Sequence, residues 1–173
     1  MKILVAKTSG FCFGVDRSIK TANELLNSGE KIYTLGEIIH NPLVVKELRE
    51  KGAKIINHPR ELPNNSKLII RSHGISSEIF EFIKNNNIDY VDATCPFVKK
   101  IHQIVKNNCE NSDILLAAGN ENHPEMIGIR SYFKGESYVF KNLEELKKIV
   151  ENHPEIKEKK LLVVAQTTFS VEN

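Results

Sequence analysis

Short runs of β-branched and aliphatic residues alternate along the chain with longer runs whose apolar positions recur at helical spacing. The strand-like runs are Ile3 to Ala6, Ile32 to Leu35, Lys54 to Ile56, Lys67 to Arg71, Ile88 to Val91, Asp113 to Ala117, Tyr138 to Phe140 and Lys160 to Ala165. Between them lie amphipathic runs from Val15 to Asn27, Leu43 to Lys51, Ser77 to Asn86, Pro96 to Cys109, Pro124 to Phe133 and Leu143 to Val150. Such alternation predicts an α/β fold, with parallel sheets covered by helices and joined by right-handed crossovers. Helix punctuation agrees: Asn41 before Pro42, Ser76 before an apolar-periodic run, Asn142 with Glu145 three residues on, and Gly29 and Gly52 just past helix ends. The first set of units is complete near Cys95, which predicts one α/β module over residues 1–95 and a second over 96–173.

Unusual polar residues fall where strands hand over to helices. They occupy Thr8 to Gly14, Gly36 to Pro42, Arg71 to Gly74, Asp92 to Pro96, Gly119 to Glu125 and Ala165 to Ser170. In parallel α/β architecture ligands bind outside the carboxyl ends of the strands, and helix N-termini there favour anions. Cys12, Cys95, His40, His73, His123, Glu125 and several hydroxyls are therefore expected on one rim.

Cys95 precedes Pro96, which suits the first helical position and forces its predecessor out of helical geometry. Its thiol is expected over the positive end of the helix, where anionic groups are favoured. An isolated cysteine is more often a small buried hydrophobe, and Cys12, His40 and His73 have equally plain readings as a loop thiol and satisfied core imidazoles. Cys109 lies fourteen residues beyond Cys95 on one predicted helix, roughly 21 Å away at 1.5 Å per residue, so one metal centre cannot use both. It continues the apolar stripe of Ile101 and Val105, which assigns it to core packing. Asn-His-Pro-Glu occurs twice, and only the copy at Asn122 to Glu125 follows a strand. His153 and Glu155 in the second copy, with His58 and His102, read as solvated positions.

Lys and Arg total 24 against 22 acidic residues, a net charge of +2, so no overall field marks a nucleic-acid or membrane binder. No apolar run reaches the length of a bilayer span, and the N-terminal apolar run is too short for a signal peptide; the expected setting is cytoplasmic. Three widely spaced cysteines with no C-x-x-C make no disulfide framework.

Taken together, Gly10-Phe-Cys-Phe-Gly-Val15, Gly36-Glu-Ile-Ile-His-Asn-Pro42, Arg71-Ser-His-Gly74, Asp92-Ala-Thr-Cys-Pro96, Gly119 to Glu125 and Gln166-Thr-Thr168 resemble the LytB family, the 4-hydroxy-3-methylbut-2-enyl diphosphate reductases of the non-mevalonate isoprenoid pathway. Six motifs in order, spanning Leu4 to Ser170, are highly specific. The resemblance implies a trefoil of three α/β modules around a 4Fe-4S cluster held by three cysteines. Cys12 and Cys95 match two cluster ligands; His40 and His73 match diphosphate-binding residues; His123, Glu125 and Thr167 match residues around the terminal hydroxyl. It implies reductive removal of that hydroxyl to give isopentenyl and dimethylallyl diphosphate. Glu125 would donate the proton, His123 and Thr167 would orient or relay, and ferredoxin or flavodoxin would supply electrons.

The family pattern continues beyond Ser170 with a third module that carries the third cluster cysteine, absent from this chain. The expectation is an incomplete form of the reductase, inactive alone and holding little stable cluster, in which Ile3 to Ala6, within residues 1–13 that pair with the third module, forms an exposed edge. Two rival readings remain. Cys12 and Cys95 with two of His40, His73 and His123 would suit tetrahedral zinc in a non-catalytic module. A Cys12 to Cys95 disulfide would require Cα atoms within about 7 Å.

Overall fold

A computed structural model describes residues 3, 4, 6 and 9–170. The chain runs α1 (Phe13–Asn27), β1 (Ile32–Leu35), α2 (Pro42–Glu50), β2 (Lys54–Ile56), β3 (Lys67–Ile70), α3 (Ser77–Asn85), β4 (Tyr90–Asp92), α4 (Pro96–Asn108), β5 (Ile114–Ala118), α5 (Pro124–Ser131), β6 (Glu136–Phe140), α6 (Leu143–Asn152) and β7 (Leu161–Ala165), with short 3-10 turns at Pro59–Glu61 and Pro154–Glu158. The alternation becomes two all-parallel sheets, a four-stranded one in the order β2-β1-β3-β4 and a three-stranded one in the order β6-β5-β7.

The strands read as continuous apolar runs because both faces are covered. Leu68, Ile69 and Ile70 on β3 and all five residues of β5 are buried. Helix starts follow the local chemistry. The Asn41 side chain accepts from the backbone N–H of Leu43 and Val44 at 3.1 and 3.2 Å, with Pro42 in the first turn. Asn142 accepts from Glu145 N–H at 2.9 Å, and the Glu145 carboxylate turns back to accept from Lys141 N–H. Gly29 and Gly52 carry φ of +80° and +107° just past α1 and α2, the conformation that stops a helix at low cost in glycine.

A helical layer joins the two sheets. Ser77 at the start of α3 bonds Ser131 at the end of α5 twice, at 2.8 and 2.6 Å. Helix α4 places Val105 in the core of the second sheet beside Leu115, Met126 and Val164, with Cys109 packed against that cluster. Toward the first sheet α4 presents His102, beside Gly74, and Lys99, whose Nζ pairs with Asp92 of β4 at 2.7 Å.

The structure departs from the sequence reading at four places. Of the expected first strand, Ile3, Leu4 and Ala6 lie in no strand, and Ile3 and Leu4 are 73% and 82% exposed; Val5, and Thr8 in the next segment, lie outside the described residues. His102, read as solvated, is buried at 8% exposure and stacks on Tyr132, because Gly74 and Gly128 leave room for its ring where a Cβ would approach it to 2.7 and 3.1 Å. His58 is half-buried and caps the first 3-10 turn, its Nδ1 accepting from Arg60 N–H while Glu61 accepts from His58 N–H. His153 is likewise half-buried, against Tyr138.

Candidate functional site

Each thiol of interest sits at the start of a helix. Cys12 and Cys95 are the N-cap residues of α1 and α4, both outside helical geometry, and neither side chain makes a capping bond. Both are free thiols. Helix α1 is drawn onto the Cys95 loop by Ser18, whose hydroxyl donates to Ala93 O at 2.8 Å, and by Arg17, which donates to Thr94 O at 3.1 Å. Cys95 N–H donates to Ser72 O at 2.9 Å, tying the thiol loop to the loop that carries His73. A Cβ on Gly14 would lie 2.5 Å from Cys95 Sγ, so glycine two residues after Cys12 is what lets the first turn of α1 close over the second thiol. Phe11, Phe13 and Phe97 are exposed beside these thiols. Cys109 follows the opposite end of α4, and its sulfur accepts from Lys134 N–H at 3.1 Å.

Three imidazoles converge from three loops. His40 follows β1, His73 follows β3 and His123 caps α5; their ring centroids lie 4.3 Å apart for His40 and His73, 5.4 Å for His40 and His123 and 5.3 Å for His73 and His123. One nitrogen of each falls within 4.8 Å of the others. Among the described residues His73 Nδ1 is buried without a partner. Burial, with the neighbouring imidazoles and Arg71, pushes the His73 pKa down to about 3, and burial, His40 and Arg71 lower that of His123.

His123 Nδ1 accepts the N–H of Glu125 at 3.1 Å, so its neutral ring carries the proton on Nε2. Metal-ligating histidines show the reverse pattern, donating the distal N–H to a carbonyl or carboxylate. The cluster therefore has the donors and the positive surroundings of an anion pocket.

Glu125 is 1% exposed, yet both oxygens are satisfied: Thr167 N–H donates to one at 2.7 Å and Thr167 Oγ1 to the other at 2.8 Å. Burial raises its pKa against the opposing pull of those two bonds. Gln166 fixes this loop, its Oε1 accepting from Asn120 N–H at 3.1 Å and its Nε2 donating to Thr168 Oγ1 at 2.8 Å.

The structure thus gathers His40, His73 and His123 in one cluster, holds Glu125 against Thr167, and puts Cys12 and Cys95 at two packed helix starts. Arg71 and Gln166 were visible in the motifs, but only folding shows that one is an unpaired cation and the other a loop clasp.

Two parallel sheets with thiols, imidazoles and a buried carboxylate in the loops after their strands define this as an α/β protein whose reactive polar groups gather at the strand ends. The sequence model described as LytB protein matches residues 3–173, and the chain belongs to that family. It is 43% identical over 173 residues to the 4-hydroxy-3-methylbut-2-enyl diphosphate reductase of Caldanaerobacter subterraneus subsp. tengcongensis, covering 98% of this chain and 58% of that protein. The enzyme of the same name from Clostridioides difficile is 39% identical, with 99% and 61% covered. Among solved structures, the E-1-hydroxy-2-methyl-but-2-enyl-4-diphosphate reductase from Plasmodium falciparum superposes with a TM-score of 0.83 at 37% identity, covering 96% of this chain and 51% of that one. A structure titled as (E)-4-hydroxy-3-methyl-but-2-enyl diphosphate reductase, the terminal enzyme of the non-mevalonate pathway, gives 0.77 at 37% identity, with 98% and 59% covered. The chain spans about three fifths of the length of the curated relatives it matches. No helix among the described residues is long and apolar enough to cross a membrane.

Proposed function

We propose that this chain carries the substrate-anchoring and proton-delivering part of a 4-hydroxy-3-methylbut-2-enyl diphosphate reductase. The observation that carries the reading is the convergence of His40, His73 and His123 within 4.8 Å, next to a buried, doubly hydrogen-bonded glutamate. The reaction removes an allylic hydroxyl as water with two electrons and protons, giving isopentenyl and dimethylallyl diphosphate. Ferredoxin or flavodoxin is the electron source on this reading, and the reducing cytoplasm, which keeps Cys12 and Cys95 as thiols, is its setting.

Cys12 and Cys95 fit a 4Fe-4S cluster as two of its ligands: both thiols are free at neighbouring helix starts, and Gly14 clears the space beside Cys95 Sγ. Cys109 does not fit, being at the far end of α4. When bound, the cluster supplies electrons and a Lewis-acidic iron.

The chain's own residues do the rest. His40 and His73 take the diphosphate, and His123, which the family resemblance set at the terminal hydroxyl, has its ring beside theirs and joins them there. Its charge opposes the burial and mutual repulsion that lower the His73 and His123 pKa values, so binding draws protons onto those rings and turns neutral donors into charged ones. Glu125, whose burial favours the protonated form, holds a proton for the departing hydroxyl, and Thr167 fixes the direction from which it is given. The exposed Phe11, Phe13 and Phe97, close in sequence to the thiols, offer apolar surface suited to the hydrocarbon portion.

The test is anaerobic reconstitution with iron and sulfide. A brown, weakly retained chromophore lost in both Cys12→Ser and Cys95→Ser and kept in Cys109→Ser is expected. Iron that survives both single variants, or zinc retained in its place, would overturn the assignment.

A further inference from the structure

Arg71 stands where the three histidine loops meet. It lies two residues before His73, and its guanidinium rests on Gly36 in the loop that leads to His40. A Cβ there would come within 2.5 Å of Arg71 Nη1, and Gly36 takes φ of +71°, so glycine is required twice over. On its other side Arg71 shares with Gly36, Ser76, Pro124 and Ile127 a cavity of about 260 Å³, which brings it to the start of α5 next to His123.

Its charge is unanswered. Arg71 Nε is buried with no hydrogen-bond partner, and no carboxylate pairs with the guanidinium among the described residues. Lys20, Lys51 and Lys67, by contrast, each have an acidic partner. An arginine does not shed its proton at physiological pH, so a half-buried one left unpaired costs stability in the free chain. A fixed cation left without a counter-ion beside three imidazoles has an anionic ligand as its natural complement.

We infer that Arg71 is a positioning residue of the anion pocket: a permanent charge behind His40, His73 and His123 that selects a polyanionic phosphate over a neutral or singly charged head group. This inference rests on the diphosphate reading above. Arg71 acts through the histidines, because its Nε is shielded from solvent and its reach into the pocket is through the field. Coulomb attraction grows with each charge on the ligand, so a fixed cation here changes the affinity for a polyanion about tenfold or more while changing that for a singly charged group less. The same field repels protons from His73 and His123, so those two rings stay neutral in the free pocket until an anion arrives.

The experiment titrates this chain with inorganic pyrophosphate and with inorganic phosphate, following heat and the imidazole NMR signals at several salt concentrations. Arg71→Gln is expected to bind pyrophosphate at least tenfold more weakly, with a shallower salt dependence, a smaller preference over phosphate and a higher titration midpoint for His73. Arg71→Lys is expected to recover most of the affinity and keep the low midpoint. Arg71→Met, which keeps the aliphatic stem on Gly36, provides a second charge-free variant if the glutamine form does not fold. Pyrophosphate bound by wild type and by a folded charge-free variant with the same affinity and salt slope would overturn the role of Arg71 and leave the diphosphate reading intact. No binding by wild type would overturn that reading and the inference with it.

Discussion

Thr167 holds both oxygens of Glu125, with its backbone N–H at 2.7 Å on one and its hydroxyl at 2.8 Å on the other. The pair closes the second sheet's rim, because Glu125 opens α5 and Thr167 follows β7. Two donors aimed at one carboxylate favour the charged form, yet burial outweighs them. Thr167→Val removes one donor without changing side-chain size. The Glu125 pKa is then expected to climb further, read from its carboxyl NMR titration, with a loss of about 1–3 kcal/mol in unfolding free energy near neutral pH. An unchanged titration would mean that the hydroxyl bond is absent in solution.

His123 combines two jobs that substitution can separate. Its ring caps α5 through Nδ1 and stands edge-on to those of His40 and His73. His123→Asn keeps a good cap and is expected to stay within about 0.5 kcal/mol of wild-type stability, whereas His123→Ala is expected to cost about 1 kcal/mol. Both should lose pyrophosphate affinity. Urea unfolding beside calorimetric binding checks the two effects independently; loss of stability in both variants alike would show that the cap is not the issue.

Acid sensitivity follows from buried imidazoles. His73 and His102 have pKa values lowered from 6.5 to about 3 and about 4, chiefly by burial. Lowered folded values mean that stability is fully present above pH 6.5 and falls as the pH drops toward 4 and then 3, by up to about 1.4 kcal/mol per pH unit for each group. Glu125, with a raised value, has the opposite sign: its contribution is fully present below its unfolded pKa and is lost as pH rises through the folded one. His102→Leu is expected to flatten the fall in unfolding free energy between pH 6.5 and 4, and an undiminished acid slope in that variant would contradict its assignment.

The Gly14 contact with Cys95 makes a small substitution consequential. A Cβ 2.5 Å from Cys95 Sγ and 2.9 Å from its Cβ forces either the thiol or α1 to move. Gly14→Ala is expected to reduce iron retention after reconstitution to near the level of Cys95→Ser while leaving far-ultraviolet circular dichroism intact. Wild-type iron content in Gly14→Ala would show that the thiol's place is not set by this contact.

Much of this architecture was legible because strand period, helix period and caps agree locally. Asn41 with Pro42 and Asn142 with Glu145 mark their helices by chemistry that needs no tertiary information. The placement of Cys95 ahead of Pro96 and the clustering of polar residues after strands were readable for the same reason. His102 was misread because its burial depends on Gly74 and Gly128, which lie far from it in sequence and meet it only when the sheets are joined. The isolation of Arg71 was invisible, since a missing partner is a property of the folded surroundings. The capping roles of His58 and His123 had a local signal: each precedes a proline at the first turn, where an imidazole Nδ1 reaches the free N–H.

The central claim is that the histidine cluster is the diphosphate end of a reductase site, and the most direct measurement is a titration of this chain with dimethylallyl diphosphate, followed through the imidazole NMR signals and repeated with zinc. The account predicts binding that takes up protons, strengthens from pH 8 to pH 6, shifts His40, His73 and His123 together and leaves His123 Nδ1 on its cap. Tight zinc binding that reverses the His123 tautomer, with no response to the diphosphate, would contradict it.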